Sequence, residues 1–152
     1  MEPIPVQEDN QNQATYSEVR VLKQRGFFGV IPPVLHILTG TSAQTSANYS
    51  ASFFIADRPY EILDITERHE TAAADGSLDV RKVPTGIVTA AGTSVLIANI
   101  QLTGAANTNL KGGLGPTRST RTLSPGDSLA LFTSGLLTTV TGVTISVLLR
   151  AI

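Results

Sequence analysis

Three features of the sequence predict an all-β domain: many short apolar runs of strand length, turn residues between them, and no amphipathic helix of any length. The expected architecture is an antiparallel β-sandwich, jelly-roll-like, over residues 26–152, with an extended N-terminal arm over residues 1–25. A chain of 152 residues is one domain's worth of material. At that size roughly two thirds of the unfolded surface is buried on folding, so a core holds without staples. With no Cys in the chain, disulfide frameworks, thiolate metal sites and cysteine nucleophiles are excluded.

The arm comes first. Residues 1–15 carry Pro3 and Pro5, then a run of Gln, Asn, Glu and Asp that cannot fold by itself. Pro3, Ile4, Pro5 and Val6, followed by Tyr16, Val19 and Val21, are the expected partner-binding residues of an extended path. The Val19-x-Val21 alternation suits addition to the sheet edge of another subunit. Phe27 and Phe28, framed by Gly26 and Gly29, are either a core plug or anchors into a neighbour.

Strand follows strand from Val34 onward. Residues 34–38 form a short apolar run, and residues 47–56 are uncharged with Tyr49, Phe53, Phe54 and Ile55. Residues 60–70 and 77–83 carry the charge cluster, and the Asp75-Gly76 dipeptide between them predicts a hairpin. Residues 92–102 fit either a strand or a helical turn. Leu123 runs into Ser124-Pro125-Gly126-Asp127, a Pro-Gly turn, after which Leu129 and Leu131 alternate with Ser128 and Ala130. The last strand is the clearest: Val143, Ile145, Val147 and Leu149 face one way, Thr144, Ser146 and Arg150 the other. No internal repeat stands out.

Charge is sparse and uneven. Only 15% of residues are charged, against a typical ~25%, and residues 26–56 and 83–110 contain none. Such stretches are expected where other subunits cover the surface, since interface cores are depleted in charge. A net charge of −1 gives no global basic field, so neither nucleic acid nor anionic lipid is expected as a partner. Acids and amides at the start of the chain predict no signal peptide. The uncharged stretch 128–149 is broken by Gly135 and Gly142 and rich in Thr and Ser, which reads as strands, not as a membrane span.

Catalytic chemistry finds little to stand on. His36 lies within an apolar run and reads as a structural histidine. Glu67 and His69 share a strand face at i and i+2, but no third metal ligand is visible. The expected setting is a solvated charged rim or a polar inter-subunit seam made by Glu61, Asp64, Glu67, Arg68, Asp79, Arg81 and Lys82. On that reading, replacing His69 by Ala leaves fold and metal content unchanged. No Gly-x-Ser-x-Gly elbow is present, and the glycine-rich run 111–115 lacks the Gly-Lys-Ser/Thr of a phosphate loop. Arg118 and Arg121 give a slight positive bias nearby. The chain is read as non-enzymatic, with no cofactor and no metal.

The run FFIADRPYEILDITERHETAAADGSLDVRKVPTG from Phe53 resembles a module of virion structural proteins in tailed bacteriophages. So do IQLTGAANT from Ile100 and RTLSPGDSLALFTSGLLTTVTGVTISVLLRAI from Arg121. The pieces are an aromatic start running into Ala56-Asp57, a strand containing Glu-x-His, a Gly-x-Ala-Asn-Thr loop and a Leu-x-x-Gly-Asp-x-Leu-Ala-Leu turn. A Gly-x-Leu segment and a final Val-x-Ile-x-Val strand complete the set. The resemblance covers about the last hundred residues and implies a β-sandwich cement or decoration protein on the outer capsid shell. It implies a homotrimer, with the major capsid protein as partner, assembled in the host cytoplasm onto the capsid exterior. The alternatives are a head-fibre or spike-base adhesion module, or a lectin-like trimeric binding domain; a small β-barrel hydrolase is the weakest, having no paired acid and base.

Overall fold

The computed structural model describes residues 50–152 in full and the backbone of one earlier strand. The arm residues Pro3, Ile4, Pro5, Val6, Tyr16, Val19 and Val21, and the anchors Phe27 and Phe28, lie outside the described residues. The strands are β1 (Val34–Leu38), β2 (Ser52–Ile55), β3 (Tyr60–Arg68), β4 (Asp75–Val83), β5 (Thr93–Ser94) and β6 (Ile100–Gln101). They continue with β7 (Leu110–Lys111), β8 (Thr122–Leu123), β9 (Ser128–Leu136) and β10 (Val143–Ala151). A 3₁₀ turn at Thr89–Ala91 and one helical turn, α1 (Arg118–Arg121), are the only helical pieces among the described residues.

All pairings are antiparallel and fall into two sheets, as an all-β sandwich requires. The first runs β1-β10-β3, with β7 and β8 both on the free side of β3, at its two ends. The second runs β2-β9-β4, with β5 and β6 likewise sharing the free side of β4. Each sheet therefore ends in a broken strand, which offers little unpaired backbone for unwanted pairing. The broken edges are also joined to each other. Leu96 bridges to Leu114, Ile97 N–H donates to Gly113 O at 2.8 Å, and Gly115 N–H donates to Val95 O at 2.8 Å. One side of the sandwich is thereby closed by backbone hydrogen bonds.

The core lies between the sheets. Ile62, Ile65, Ile145, Val147 and Leu149 from the first sheet meet Leu78, Val80, Leu129 and Leu131 from the second, all fully buried. Each such side chain is worth about 1.5–3 kcal/mol relative to exposure. The alternation read in the last strand is the one observed, with Thr144 and Ser146 half-buried and Arg150 exposed. In β9, Ala130 is buried as well as its leucine neighbours.

Two glycine positions are dictated by the backbone. The Ser124–Asp127 turn closes with Asp127 N–H donating to Ser124 O at 3.0 Å, and Gly126 holds φ +88° at the position where a type II turn needs it. Gly135 has φ +83° and sits opposite Gly76 in the β4–β9 ladder, where an added Cβ would stand 2.6 Å from Asp75 O.

The expected Asp-Gly hairpin does not form. Asp75 and Gly76 open β4 itself, and β3 and β4 belong to different sheets. Both runs are apolar on one side, and burying each against the other across the core places them in opposite layers; the connection is an arch. Residues 92–102 prove to be short pieces, β5 and β6 about a loop, because each pairs with only two residues of β4.

Candidate functional site

β3 positions both clusters of buried charge, and a bulge in it decides which way each points. Along β10, Leu148 pairs with Asp64 and Leu149 with Ile62, so Leu63 is an extra residue in the ladder. Before the bulge, Tyr60 and Ile62 point inward and Glu61 outward. After it, Ile65, Glu67 and His69 share the buried side. Were Leu63 paired in regular register instead, Glu61 and Glu67, six residues apart, would fall on one face, since strand side chains alternate with period two.

Glu67 and His69 are fully buried, which overturns the expected solvated setting. Asp79 at 2% exposure and Glu61 at 7% are buried too, so the charges of residues 60–83 do not form an open rim. The reason lies in their partners. Asp79 accepts from Arg81 Nε at 2.7 Å and Ser94 Oγ at 2.6 Å, and the Arg81 guanidinium lies 3.6 Å from the Phe132 ring centre. Asp64 keeps a more open pair, to Lys111 Nζ at 2.6 Å.

His69 ties three segments together. Its Nε2 lies 3.3 Å from Gly104 O, and a carbonyl only accepts, so Nε2 carries a hydrogen. Its Nδ1 lies 3.0 Å from Glu67 Oε1. A bare imidazole nitrogen facing a carboxylate oxygen would set two acceptors together, so one proton lies between them and the pair is neutral overall. Burial pushes the Glu67 carboxyl up, and the hydrogen bond and charge of His69 pull it partly back. Glu67 Oε2 has no hydrogen-bond partner among the described residues.

The segment held by His69 is residues 103–109. Asn107 N–H donates to His69 O at 2.7 Å, and Asn107 takes φ 59°, a left-handed conformation that Asn tolerates. Arg68 Nη2 donates to Asn107 Oδ1 at 3.4 Å, and Asn107 Nδ2 donates to Glu70 O at 3.4 Å. The Glu-x-His strand and the Gly-x-Ala-Asn-Thr loop, read separately in the sequence, are thus the two halves of one latch.

The other cluster surrounds Glu61. Arg150 Nη2 donates to Glu61 Oε2, and Arg118 Nε stands 3.8 Å from Glu61 Oε1. The hydrogen bond from Arg150 is the main cause holding the Glu61 carboxyl below the usual carboxylate range, with the charges of Arg118 and Arg121 adding to it. Arg121 Nε is buried with no hydrogen-bond partner among the described residues. Lys82 reaches the same corner, donating to Ser119 O at 2.8 Å and Thr122 O at 3.2 Å. Arg150 and Arg118 therefore share one carboxylate, and Arg121 and Lys82 add to the positive charge of the corner. Arg118 and Arg150 remain open, with side chains 68% and 46% exposed.

Exposed apolar residues border this corner. Ile152 follows Arg150 on the same side of its strand line and donates its N–H to Pro59 O at 3.2 Å. Ile55, Ile87 and Val88 lie around the same end of the sandwich, where Ile55 and Val83 both pair with Ser128. Ile87 and Val88 belong to the charge-free stretch 83–110, which divides between buried Val95, Leu96, Ile100 and Leu102 and these exposed positions.

The residue-level reading found Arg118 and Arg121 but missed Glu61, Lys82 and Arg150 as their neighbours. Only the alternation of the last strand, which marked Arg150 as outward, pointed toward the cluster. His36 stands opposite Ile145 in the β1–β10 ladder. Among the described residues no group of three or more His, Asp or Glu could hold a metal, and no helix is long and apolar enough to cross a membrane. No family model, curated protein or solved structure matches the chain.

Proposed function

We propose that the chain is a non-enzymatic structural protein of a tailed-phage particle, a cement or decoration subunit that binds the outer capsid shell. The observation that carries this reading is the latch. Two pieces of the virion-module pattern that lie far apart in the chain, Glu67-x-His69 and Gly104-x-Ala106-Asn107-Thr108, close on each other through the hydrogen bonds of His69 and Asn107. On this reading the ordered motif set is a folding framework for about the last hundred residues, not a collection of scattered short matches. The buried ionisable groups support the same reading, because Asp79, Glu67 and His69 spend their hydrogen bonds on the chain's own loops and strands.

In this role the sandwich is a rigid body, three copies meet about an axis, and the arm of residues 1–25 reaches across neighbouring protein. Arms that order on binding cover large surfaces for little folded mass. The test is a low-resolution particle map with mass spectrometry of purified virions from the phage that encodes the chain. The expected result is stoichiometric protein on the exterior of the head. Its absence from washed particles, or density on a radial stalk, overturns the cement reading.

A further inference from the structure

We infer that the arginine corner of the sandwich is a receptor for the acidic N-terminal segment, residues 1–9, of a second copy of this chain. This rests on the reading above, in which copies meet and the arm crosses neighbouring protein, and names where the first nine residues dock.

The receptor side is set by the described residues. Arg150 and Arg118 both approach Glu61, and Arg121 precedes Thr122, which pairs with Glu61 in the β3–β8 ladder, so three guanidiniums gather about one carboxylate. Arginine forks favour carboxylates, which they can bind through two parallel hydrogen bonds. Arg118 and Arg150 present much of their side chains to solvent. Beside them stands exposed Ile152. The corner thus asks for an occupant with carboxylates and a small apolar element.

The occupant is present in the sequence. Residues 1–15 contain Glu2, Glu8 and Asp9 and no Lys or Arg. Pro3 and Pro5 favour an extended course over a helix. Within it Glu2 and Glu8 flank the apolar Ile4 and Val6, the residue types that a corner of arginines beside Ile152 calls for. Asp57 is paired with Arg58, Asp64 with Lys111 and Asp79 with Arg81, away from the corner. The positive charge of the corner is the complement of the acids in residues 1–9.

Sedimentation velocity of the full chain across a concentration series, at low and high salt, tests the inference. Self-association that weakens with salt is expected. Arg118→Gln, at the most exposed of the three arginines, is expected to weaken association about threefold, and the arm variant E2Q/E8Q/D9N about tenfold. The combined variant is expected to be no weaker than the arm variant alone, because both remove the same contact. Thermal melting of each variant checks that the fold persists. Three results would overturn the proposal: a single-chain mass at every concentration, salt-independent association, or additive effects of the two variants. Oligonucleotide binding that is lost in Arg118→Gln, with association unchanged, would assign the corner to nucleic acid instead.

Discussion

Glu61 and Glu67 stand six residues apart on one strand, one beside an arginine and the other beside a histidine, yet their environments push them in opposite directions. Glu61 faces outward beside Arg150 and Arg118, and its carboxyl is held low by the Arg150 hydrogen bond. Glu67 faces inward beside His69, and burial holds its carboxyl high. The bulge at Leu63 separates the two cases. Local sequence made the same residue type available twice; one bulge turned one copy outward to the arginines and the other inward to the latch.

The comparison breaks most sharply at the latch. His69→Ala leaves Glu67 buried beside a cavity and frees Gly104 O, and removing one partner of a buried pair costs about 3–5 kcal/mol. For a chain of this size the melting temperature is expected to fall by on the order of 10 °C, measured by calorimetry. A drop under about 2 °C would show that residues 103–109 are held by other means. The double change Glu67→Leu with His69→Phe is expected to recover part of the loss, because no unpaired carboxyl then remains in the core.

Gly135→Ala tests the same end of the sandwich through the backbone. The new Cβ meets Asp75 O at 2.6 Å and must also sit at φ +83°. A cost of about 1–3 kcal/mol is expected in urea denaturation, with the slope unchanged. Gly86→Ala is the control: its φ is +85° but nothing lies within 4 Å of the added carbon, so it isolates the strain from the clash.

The pH dependence sharpens the contrast. Glu61 has a lowered native value, so its contribution is present above the unfolded value and is lost as pH falls through the native one. Glu67 has a raised native value, so its contribution is fully present below the unfolded value and is lost as pH rises through the native one. Glu61→Gln is therefore expected to flatten the acid-side fall in melting temperature, and Glu67→Gln to steepen it. Melting curves over about pH 3–6 check both signs. Equal slopes in the two variants would mean that the two carboxyls do not differ as their surroundings require.

The smallest effect belongs to the exposed pair of Asp64 and Lys111, whose side chains are 36% and 72% exposed. Lys111→Ala is expected to change stability by less than about 1 kcal/mol. A larger loss in chemical denaturation would show that β7 depends on this pair more than on its backbone bonds to Thr66 and Glu67.

Much of this was legible in the sequence, for reasons local to the chain. Period-two alternation placed Val143, Ile145, Val147 and Leu149 on the buried face, because strand geometry sends alternate side chains to opposite sides. Pro125-Gly126 announced its turn because those two residues carry the required dihedral angles themselves. Glu67 and His69 were recognised as neighbours on one face, since two residues along a strand suffice for that.

What the sequence left open concerned which side faces the core and which distant segments meet there. Charge suggested exposure for Glu67, His69 and Asp79, but burial was decided by acceptors and donors elsewhere: Gly104, Ser94 and the ring of Phe132. Asp75-Gly76 has the composition of a hairpin turn, yet both flanking strands needed an apolar partner layer, and packing across the core placed them in separate sheets. Arg150 meets Glu61, and Arg118 stands beside both, only because β10 pairs with β3 and α1 folds over the end of the same strand. Alternation and turn chemistry act over a few bonds and can be read along the chain. Pairing partners separated by dozens of residues are chosen by the packing of the whole, and only the tertiary structure decides them.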